Sequence, residues 1–424
     1  MPTTLGCKKY TKSPTTSIKM ILSHKIQLNP TKDQVIQFAK ASGCARFSYN
    51  WGLNKWSEMY KGWKGNNQLP KPNGMLVKKE FNKIKETEYP WIYESPKDSN
   101  QQPFANLQKS FNSFFKKKSK YPQFKHKGKK DSFYVSNDKF KIKEDVIQLP
   151  KIGKVKLTEK LRFPSDIILS CTISRQSTKW FASISVEVPD YKKQRKSNNQ
   201  IGLDFGIKTL VTDQLGNQIN SPLPLKNNLK RLKLYQQNLS RKVKGSKNQT
   251  KQKIKIAKLH YRISNIRKDF TNKLTSNICS ENQTIIIEDL NVKSWSTKFG
   301  KSCVDGNVGE VIRQLKYKKD IFNNELVIID KWFPSSKTCS GCGKIKQDLK
   351  LSDRIYKCNH CGLELDRDHN AAKNIYTLGL REIKACGHIT ASSEFNSELS
   401  LVDEARTIDK VESCGRISLS QFNT

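Results

Sequence analysis

The sequence predicts an α+β protein with several domains. The chain has 424 residues, enough for two or three domains of roughly 100–200 residues each. Short alternating apolar patterns near the start and between 121 and 190 indicate strands, and a helical pattern separates them. After Ile201, apolar runs typical of buried strands alternate with helical stretches. These observations predict a β module that is interrupted by helices and followed by an α/β domain.

Changes of pattern divide the chain into segments at 1–19, 20–30, 31–120, 121–190, 198–385 and 386–424. The first and last are polar and aperiodic, which predicts a disordered leader and a flexible tail, and either Met1 or Met20 is the natural start. The second alternates as a strand and ends at Asn29-Pro30, after which Thr31 is placed to cap a helix. The third predicts a helical bundle. We expect the second and fourth segments to pair into one barrel-like β module across that bundle.

The α/β segment is predicted to begin with a β-hairpin. This hairpin starts at Ile201, turns at Leu215-Gly216-Asn217 and returns through Ile219. A lysine-rich helical hairpin follows between 226 and 280. The run QTIIIEDL comes next, and ELVIIDKWF follows a further helix at about 308–321. Both runs are typical of strands that are buried on both faces.

The composition indicates a nucleic-acid partner. Lysine and arginine total 78 residues against 38 acidic ones, a formal net charge of +40, and the basic residues are spread along the chain. Charge of this size favours binding to a polyanion. No apolar run approaches the roughly 18–20 residues of a spanning helix and no signal peptide opens the chain, so we expect no membrane partner. The eleven cysteines are mostly scattered, which fits a reducing compartment.

Two Cys-x-x-Cys pairs predict a zinc site. They lie fifteen residues apart and consist of Cys339, Cys342, Cys358 and Cys361. This spacing is within the range of a four-cysteine zinc ribbon. Gly343 and Gly362 follow the pairs and give each turn its freedom. Four sulfurs leave zinc no open coordination position, so we expect a structural ion in a ribbon at 335–365.

The chemistry is expected at acids that belong to the buried strands and to a helix start. Asp204 lies in the run GLDFG, where an ionisable group is costly unless it is paired or metal-bound. Glu288 ends IIIE, and Asp366 and Asp368 precede NAAKNI, which reads as the first turn of a helix. Each has an ordinary alternative: Asp204 as a turn or phosphate-loop residue, Glu288 as a strand end, Asp366 as a helix N-cap. Together, carboxylates from two strands and one helix start are typical of the Mg²⁺ site of an RNase H-like nuclease.

These motifs resemble those of a known family. Four stretches resemble the RuvC and zinc-ribbon segments of the transposon-encoded TnpB (OrfB) family: GLDFGIKTLVTD, IIIEDLNVK, SSKTCSGCG and YKCNHCGLELDRDHNAAKNI. This family is related to type V CRISPR effectors. Three segments nearer the start also resemble that family: NPTKDQ with GCARFSYNWGLNKW, and YPQFKHKGKKDSF. The resemblance covers roughly residues 20–385, and the block 335–375 is its most specific part.

The resemblance implies an RNA-guided DNA endonuclease with a RuvC-like nuclease domain and a wedge-like β module. It assigns Asp204, Glu288 and Asp368 as catalytic acids and the four cysteines as zinc ligands. Asp368 is preferred over Asp366 because the family's third acid is separated from Asn-Ala-Ala by one residue, here His369. On this hypothesis the three acids hold two Mg²⁺ ions, with Asp204 bridging them.

The resemblance also implies the partners. An RNA from the transposon end would serve as scaffold and guide, and double-stranded DNA would be cut beside a short flanking motif. The candidate nucleic-acid contacts are Tyr49, Asn50, Asn54, Lys78, Phe133, Ser136 and Asn137. Tyr49 and Phe133 have an ordinary alternative as core residues. The basic helices at 226–270 would hold phosphates. A monomer in the bacterial or archaeal cytoplasm, at the nucleoid, is expected.

Two other functions fit the same residues. One is a guide-dependent DNA-binding regulator with an idle site, against which the three intact acids weigh. The other is a transposase that joins DNA strands, because RNase H-like folds also support strand transfer. Metal-dependent cutting separates the nuclease from the regulator, and joined products would indicate the transposase.

Overall fold

A computed structural model describes residues 19–164, 167–189, 191–350 and 352–385. The predicted tail and the predicted leader, apart from Lys19, lie outside these residues. The chain divides into two units, Met1–Gly379 and Leu380–Thr424, and the described part of the second is the end of one helix. No helix in the described ranges combines the length and the apolar character that a membrane crossing needs.

The first module is a seven-stranded sheet. Its strands are β1 (Lys19–Asn29), β2 (Ser132–Ser136), β3 (Lys141–Lys143), β4 (Val146–Leu149), β5 (Gly153–Leu157), β6 (Ile168–Gln176) and β7 (Lys179–Pro189). They lie in the order β2-β6-β7-β1-β5-β4-β3, and neighbours are antiparallel. The predicted pairing of the opening strand across the helical insertion is confirmed, since β1 pairs with β7 from Lys19↔Pro189 to Leu28↔Trp180.

Three α-helices form the insertion: α1 (Lys32–Gly65), α2 (Gly74–Ile84) and α3 (Lys97–Phe115), with a short 3₁₀ helix at Pro90–Glu94 before α3. The Thr31 hydroxyl accepts a hydrogen bond from the Gln34 amide, and the Gln34 side chain accepts one from the Thr31 amide. This capping box satisfies two N–H groups that would otherwise lack partners at the helix start. Aromatic side chains hold the helices together, with the rings of Trp56 and Phe111 stacked at 4.1 Å.

The second module is built on a five-stranded mixed sheet. Its strands are β8 (Asn199–Phe205), β9 (Val211–Asp213), β10 (Gln218–Ile219), β11 (Asn282–Glu288) and β12 (Glu325–Ile329). They lie in the order β10-β9-β8-β11-β12. The pairs β8–β11 and β11–β12 are parallel, and the two pairs that involve β9 are antiparallel. Two further strands, β13 (Ile355–Lys357) and β14 (Glu364–Asp366), form a separate antiparallel pair. In the sequence they follow β12 and precede the last helix.

The helices of this module are α4 (Pro224–Ser240), α5 (Lys247–Glu281), α6 (Val292–Phe299), α7 (Lys301–Gly306), α8 (Val308–Phe322) and α9 (Arg367–Ala385). The predicted lysine-rich helical hairpin corresponds to α4 and α5. A buried ion pair fastens it, because the Asp305 carboxylate accepts from the Arg267 guanidinium at 2.7 Å and from the first backbone N–H groups of α4. Breaking such a buried pair by removing one partner is costly, about 3–5 kcal/mol.

Two expectations for this module need correction, and two helices were missed. The single hairpin predicted from Ile201 to Ile219 is two hairpins, because the chain turns between β8 and β9 before it reaches the predicted turn at Leu215-Gly216-Asn217. The strand β12 is not buried on both faces: it lies at the sheet edge and Ile328 is 39% exposed. Helices α6 and α7 were not predicted, since eight and six residues are too short to give a clear periodic pattern.

Candidate active site

Two of the predicted acids lie at the same edge of the mixed sheet. The parallel register of β8 and β11 pairs Leu203 with Ile287. Asp204 and Glu288 follow these residues and therefore lie side by side at the carboxyl ends of neighbouring strands. In open α/β sheets this edge is where ligands bind.

Helix α9 brings the third acid to this edge by packing closely on the sheet. A Cβ added at Gly202 in β8 would lie 2.5 Å from Tyr376 Cβ, and one at Gly379 would lie 2.3 Å from Ile286 Cγ2. Neither position has room for a methyl group, so glycine allows helix and strands to approach. At the start of α9, the His369 Nε2 lies 3.1 Å from the Gln214 carbonyl oxygen. These contacts fix the first turn of α9, which contains Asp368, beside β8.

The local hydrogen bonds distinguish Asp366 from Asp368. The Asp366 Oδ1 accepts from the backbone N–H groups of Asp368 at 2.9 Å and His369 at 3.2 Å, which makes Asp366 the cap of α9. The Asp368 side chain is 16% exposed and lies 3.5 Å from Arg367 and 4.0 Å from Arg354. Asp366 therefore serves the helix start, and the Asp368 carboxylate takes no part in this cap.

The buried carboxylates of this site are stabilised in their ionised forms only if cations bind beside them. Burial raises the pKa of Asp204 to about 7, and the charges of Asp368 and Glu288 add to that rise. Burial, followed by the charge of Asp289, raises the pKa of Glu288 to about 7. Carboxylates that share a site resist joint ionisation unless a positive charge compensates them. Oxygen ligands open to a substrate suit Mg²⁺, so the donor set fits that ion.

The zinc prediction fits the geometry of the four cysteines. Their sulfurs all lie within 4.8 Å of one another. The Cys339–Cys361 and Cys342–Cys358 sulfurs are each 3.6 Å apart. Ligands at about 2.3 Å from a tetrahedral zinc would be about 3.8 Å apart, so this arrangement matches one ion. Within the described ranges no other set of three or more such ligand groups is this tight. The carboxylate oxygens of Asp204, Glu288 and Asp368 are therefore spread more widely than the four sulfurs.

Two buried asparagines join the cysteine cluster to helix α9. The Asn370 side chain accepts from the Ser340 amide at 2.9 Å and donates to the Thr338 carbonyl at 2.7 Å. The Asn374 side chain donates to the Thr338 and Ser335 carbonyls at 2.7 and 2.8 Å. Sequence reasoning missed this pair, although the spacing i, i+4 places both side chains on one face of the helix. The first cysteine turn and Asn370, two residues after Asp368, are thus parts of one hydrogen-bonded unit.

The candidate nucleic-acid contacts occupy different environments. The rings of Tyr49 and Phe133 are buried in hydrophobic clusters, so neither presents a face to a base. Their role as stacking platforms is corrected by the structure, and the core alternative describes them. Asn50 bonds through its side chain to the backbone of Lys125 in both directions, at 2.7 and 2.9 Å. Asn54 donates to Glu58 at 2.7 Å.

The remaining candidates lie near the junction of the insertion and the β module. Ser136 is held by Asp98, which accepts from its amide and its hydroxyl. Asn137 is exposed and Lys78 is half-buried. Lys125, which sequence reasoning missed, lies with its Nζ 3.9 Å from the centroid of the Tyr49 ring. Burial lowers the pKa of Lys125 to about 8, so a partner with negative charge would favour its charged form.

Comparisons with known proteins agree with these features. Three family profiles match, described as probable transposase at 183–298, Cas12f1-like TNB domain at 309–375 and helix-turn-helix domain at 20–64. A protein of Streptomyces pristinaespiralis named "Putative RNA-guided DNA endonuclease" is 33% identical over 86% of this chain and 90% of its own length. The chain belongs to the TnpB/OrfB family. A further relative, "Putative RNA-guided DNA endonuclease InsQ" of Escherichia coli (strain K12), is 30% identical over 88% of this chain and 96% of its own.

The fold is shared with a solved effector. The protein in the "Cryo-EM structure of the Cas12f1-sgRNA-target DNA complex" aligns with a TM-score of 0.51 at 15% identity, over 85% of this chain and 99% of that chain. The chain therefore has a Cas12-like, mixed α+β fold. The residues that match the helix-turn-helix profile form a strand and one long helix, β1 and α1, in this family member.

Proposed function

We propose that the protein is an RNA-guided DNA endonuclease of a transposon that cuts target DNA beside a short flanking motif. The observation that carries the proposal is the meeting of Asp204, Glu288 and Asp368 at the carboxyl ends of neighbouring strands, where burial and then the charges of the other two acids raise the pKa of Asp204. The names of the relatives support the same activity. An idle regulator would have no need to keep three acids together at this cost.

Asp204, Glu288 and Asp368 would hold two Mg²⁺ ions, which supply activation of a water molecule and stabilisation of the leaving 3′ oxygen. Asp204 is the acid whose pKa both other acids raise. It therefore lies within reach of both and is placed to bridge. Glu288 on β11 and Asp368 on α9 flank it from different elements. Arg354 and Arg367 lie beside Asp368 and orient its carboxylate.

The proposed function also assigns a role to each module. Residues 198–385 form a RuvC-like nuclease domain, and the segment 335–365 is its zinc ribbon, with one structural zinc on the four cysteines. Residues 20–30 and 121–190 form a wedge-like module, and 31–120 a recognition module, for a guide RNA from the transposon end and its DNA target. Asn54, Lys78 and Asn137 are partly or fully exposed and remain candidate contacts there. A monomer at the nucleoid suits this function.

The test begins with co-expression of the chain and its flanking genomic DNA. The purified complex is sequenced for bound RNA and then incubated with Mg²⁺ and a plasmid library with a randomised flank. We expect a discrete RNA and guide-dependent breaks beside one motif. An Asp204→Ala variant should retain the target without cutting it, whereas Asp269→Ala, an exposed acid on α5, should cut normally.

Each alternative predicts a different result. Target retention by the unchanged complex without breaks would indicate a regulator, and joined products would indicate a transposase. Substantial cutting by Asp204→Ala would overturn the assignment of the site.

A further inference from the structure

A cleft of about 300 Å³ lies beside the proposed catalytic centre. Glu288 and Asp289 form one side of it, at the carboxyl end of β11. Helix α8 forms another side and includes Ile312, and Val292 and Ile328 add further apolar surface. Sites for small molecules begin at about this volume. The cleft therefore has room for one nucleotide but not for a duplex.

The two sides of the cleft differ in charge. Arg313 and Lys316 lie on the α8 side. The Arg313 guanidinium is occupied, because its Nε and Nη2 each donate to the Glu310 carboxylate at 2.7 Å. Lys316 is half-buried, and the structure gives it no ion pair or hydrogen bond with any described residue. Lys316 is therefore the cation in this cleft that is available to an anion.

We propose that this cleft is the subsite for the nucleotide next to the scissile phosphate, with Lys316 holding that nucleotide's phosphate. The inference rests on the proposed function. A strand whose phosphodiester lies at Glu288 has its neighbouring nucleotide within reach of the cleft. Asp289, which has no metal-binding role, disfavours a phosphate on the β11 side of the cleft, whereas Lys316 favours one on the α8 side. The exposed Ile328 on the edge strand gains a partner in the sugar or base.

Lys319 provides a matched control. It lies one turn beyond Lys316 on α8, has the same half-buried class, and makes no side-chain ion pair or hydrogen bond in the described structure. It does not line the cleft. Lys316→Ala and Lys319→Ala thus remove the same charge from the same helix. We expect single-turnover cleavage to slow about tenfold or more for Lys316→Ala, the size expected for a lost charge-assisted hydrogen bond, and to stay unchanged for Lys319→Ala.

A substrate series identifies the phosphate. The probes are duplex targets for the sequenced guide, with single phosphates on either side of the mapped cut replaced by neutral methylphosphonates. At one position the replacement should slow cleavage by the unchanged complex as much as Lys316→Ala does. The two changes together should slow cleavage no more than either change alone. Lys319→Ala should add nothing at any position.

The outcomes separate this inference from the proposed function. If the unchanged complex makes no breaks with Mg²⁺, the nuclease proposal fails and the subsite fails with it. If it cuts and Lys316→Ala behaves like Lys319→Ala, the subsite alone is wrong. Additive effects at every phosphate would also overturn it, since Lys316 would then act without contacting the strand beside the cut.

Discussion

At the scale of single residues, the fold disfavours the ionised form of Asp204 when no cation is bound. Burial and the neighbouring carboxylates raise its pKa from the ordinary 3.8 to about 7. The unfolded chain therefore releases this proton at lower pH than the folded chain. The stability associated with this group is complete below about pH 4 and is lost as the pH rises through about 7. Glu288, whose pKa is also raised to about 7, has the same sign.

Asp204→Asn is expected to stabilise the metal-free protein while abolishing cleavage. The amide has nearly the same shape but cannot ionise, so the gain in melting temperature should be larger at pH 8 than at pH 5, at roughly 2–4 °C for each kcal/mol recovered. Thermal unfolding is measured without added Mg²⁺ and without a chelator, so that zinc stays bound. Asp269→Asn on the surface of α5 serves as control, and an equal gain at both pH values would contradict the raised pKa.

Asn370→Ala is expected to slow cleavage without releasing zinc. The side chain is fully buried, and its loss leaves the Ser340 amide and one bond of the Thr338 carbonyl without a partner. Because Asn370 follows Asp368 by two residues, its loss should displace the acid and raise the Mg²⁺ concentration for half-maximal cleavage about 10–100-fold, as for other groups that orient metal ligands. Zinc per chain is measured in parallel. Asn359→Ala, exposed between two cysteines, is the control, and equal Mg²⁺ dependence of both variants would refute the coupling.

The sequence predicted which residue types carry the chemistry but not how each is held. Asp204 and Glu288 are recognisable because a carboxylate inside or at the end of an apolar run needs a reason to be there. The contacts of Asn370 depend on which loop folds against α9, and no local pattern records that. The same limit applies to Tyr49 and Phe133. Aromatic residues among lysines are common to a nucleic-acid surface and to a core beneath one, and tertiary packing places these two in the core.

At the scale of elements, prediction succeeded where one pattern determined one element. Strand β1, helix α1 with its Thr31 cap and the helical hairpin α4–α5 occur where their periodicity indicated. It failed where the pairing partner decided the outcome. The run ELVIIDKWF has the composition of a central strand, yet no described strand lies beyond β12. The early turn between β8 and β9 was missed because the predicted turn at Leu215-Gly216-Asn217 was the stronger local signal.

Gly202→Ala tests whether the packing of α9 on the sheet determines the site. The new Cβ would lie within 2.8 Å of three Tyr376 atoms, two of them backbone, so the helix must shift. We expect a loss of about 1–3 kcal/mol in unfolding free energy and a larger loss of cleavage than of target binding, because Asp368 moves with α9. Gly65→Ala, where the added Cβ meets nothing within 4 Å, should change neither property. Normal cleavage by a destabilised Gly202→Ala would show that the site tolerates movement of α9.

At the scale of the whole molecule, the charge of +40 is unevenly compensated. Some lysines have an acid nearby, as in the pairs Lys83–Glu80, Lys139–Asp138 and Lys273–Asp269. The part of the hairpin α4–α5 from Pro224 to Lys268 differs, because it contains no acidic residue. Leu232, Leu259 and Ile263 form its small buried cluster, and its exposed residues include many lysines. An uncompensated basic surface of this kind attracts phosphates through counterion release rather than through base contacts.

Replacing the exposed Lys251, Lys255 and Lys258 of α5 by glutamine should therefore weaken RNA binding in a salt-dependent way. Each phosphate contact contributes about 0.7–0.9 to the slope of log affinity against log salt concentration, so three lost contacts should reduce that slope by about 2–3. Glutamine at Lys83, Lys139 and Lys273 removes the same charge from lysines that an acid already neutralises, and that triple variant should keep the slope of the unchanged protein. Binding of the sequenced RNA is measured by filter retention across a range of KCl concentrations. Equal slopes for both triple variants would show that net charge alone attracts the RNA, whereas a selective change would place the RNA backbone along the part of α5 that contains Lys251, Lys255 and Lys258.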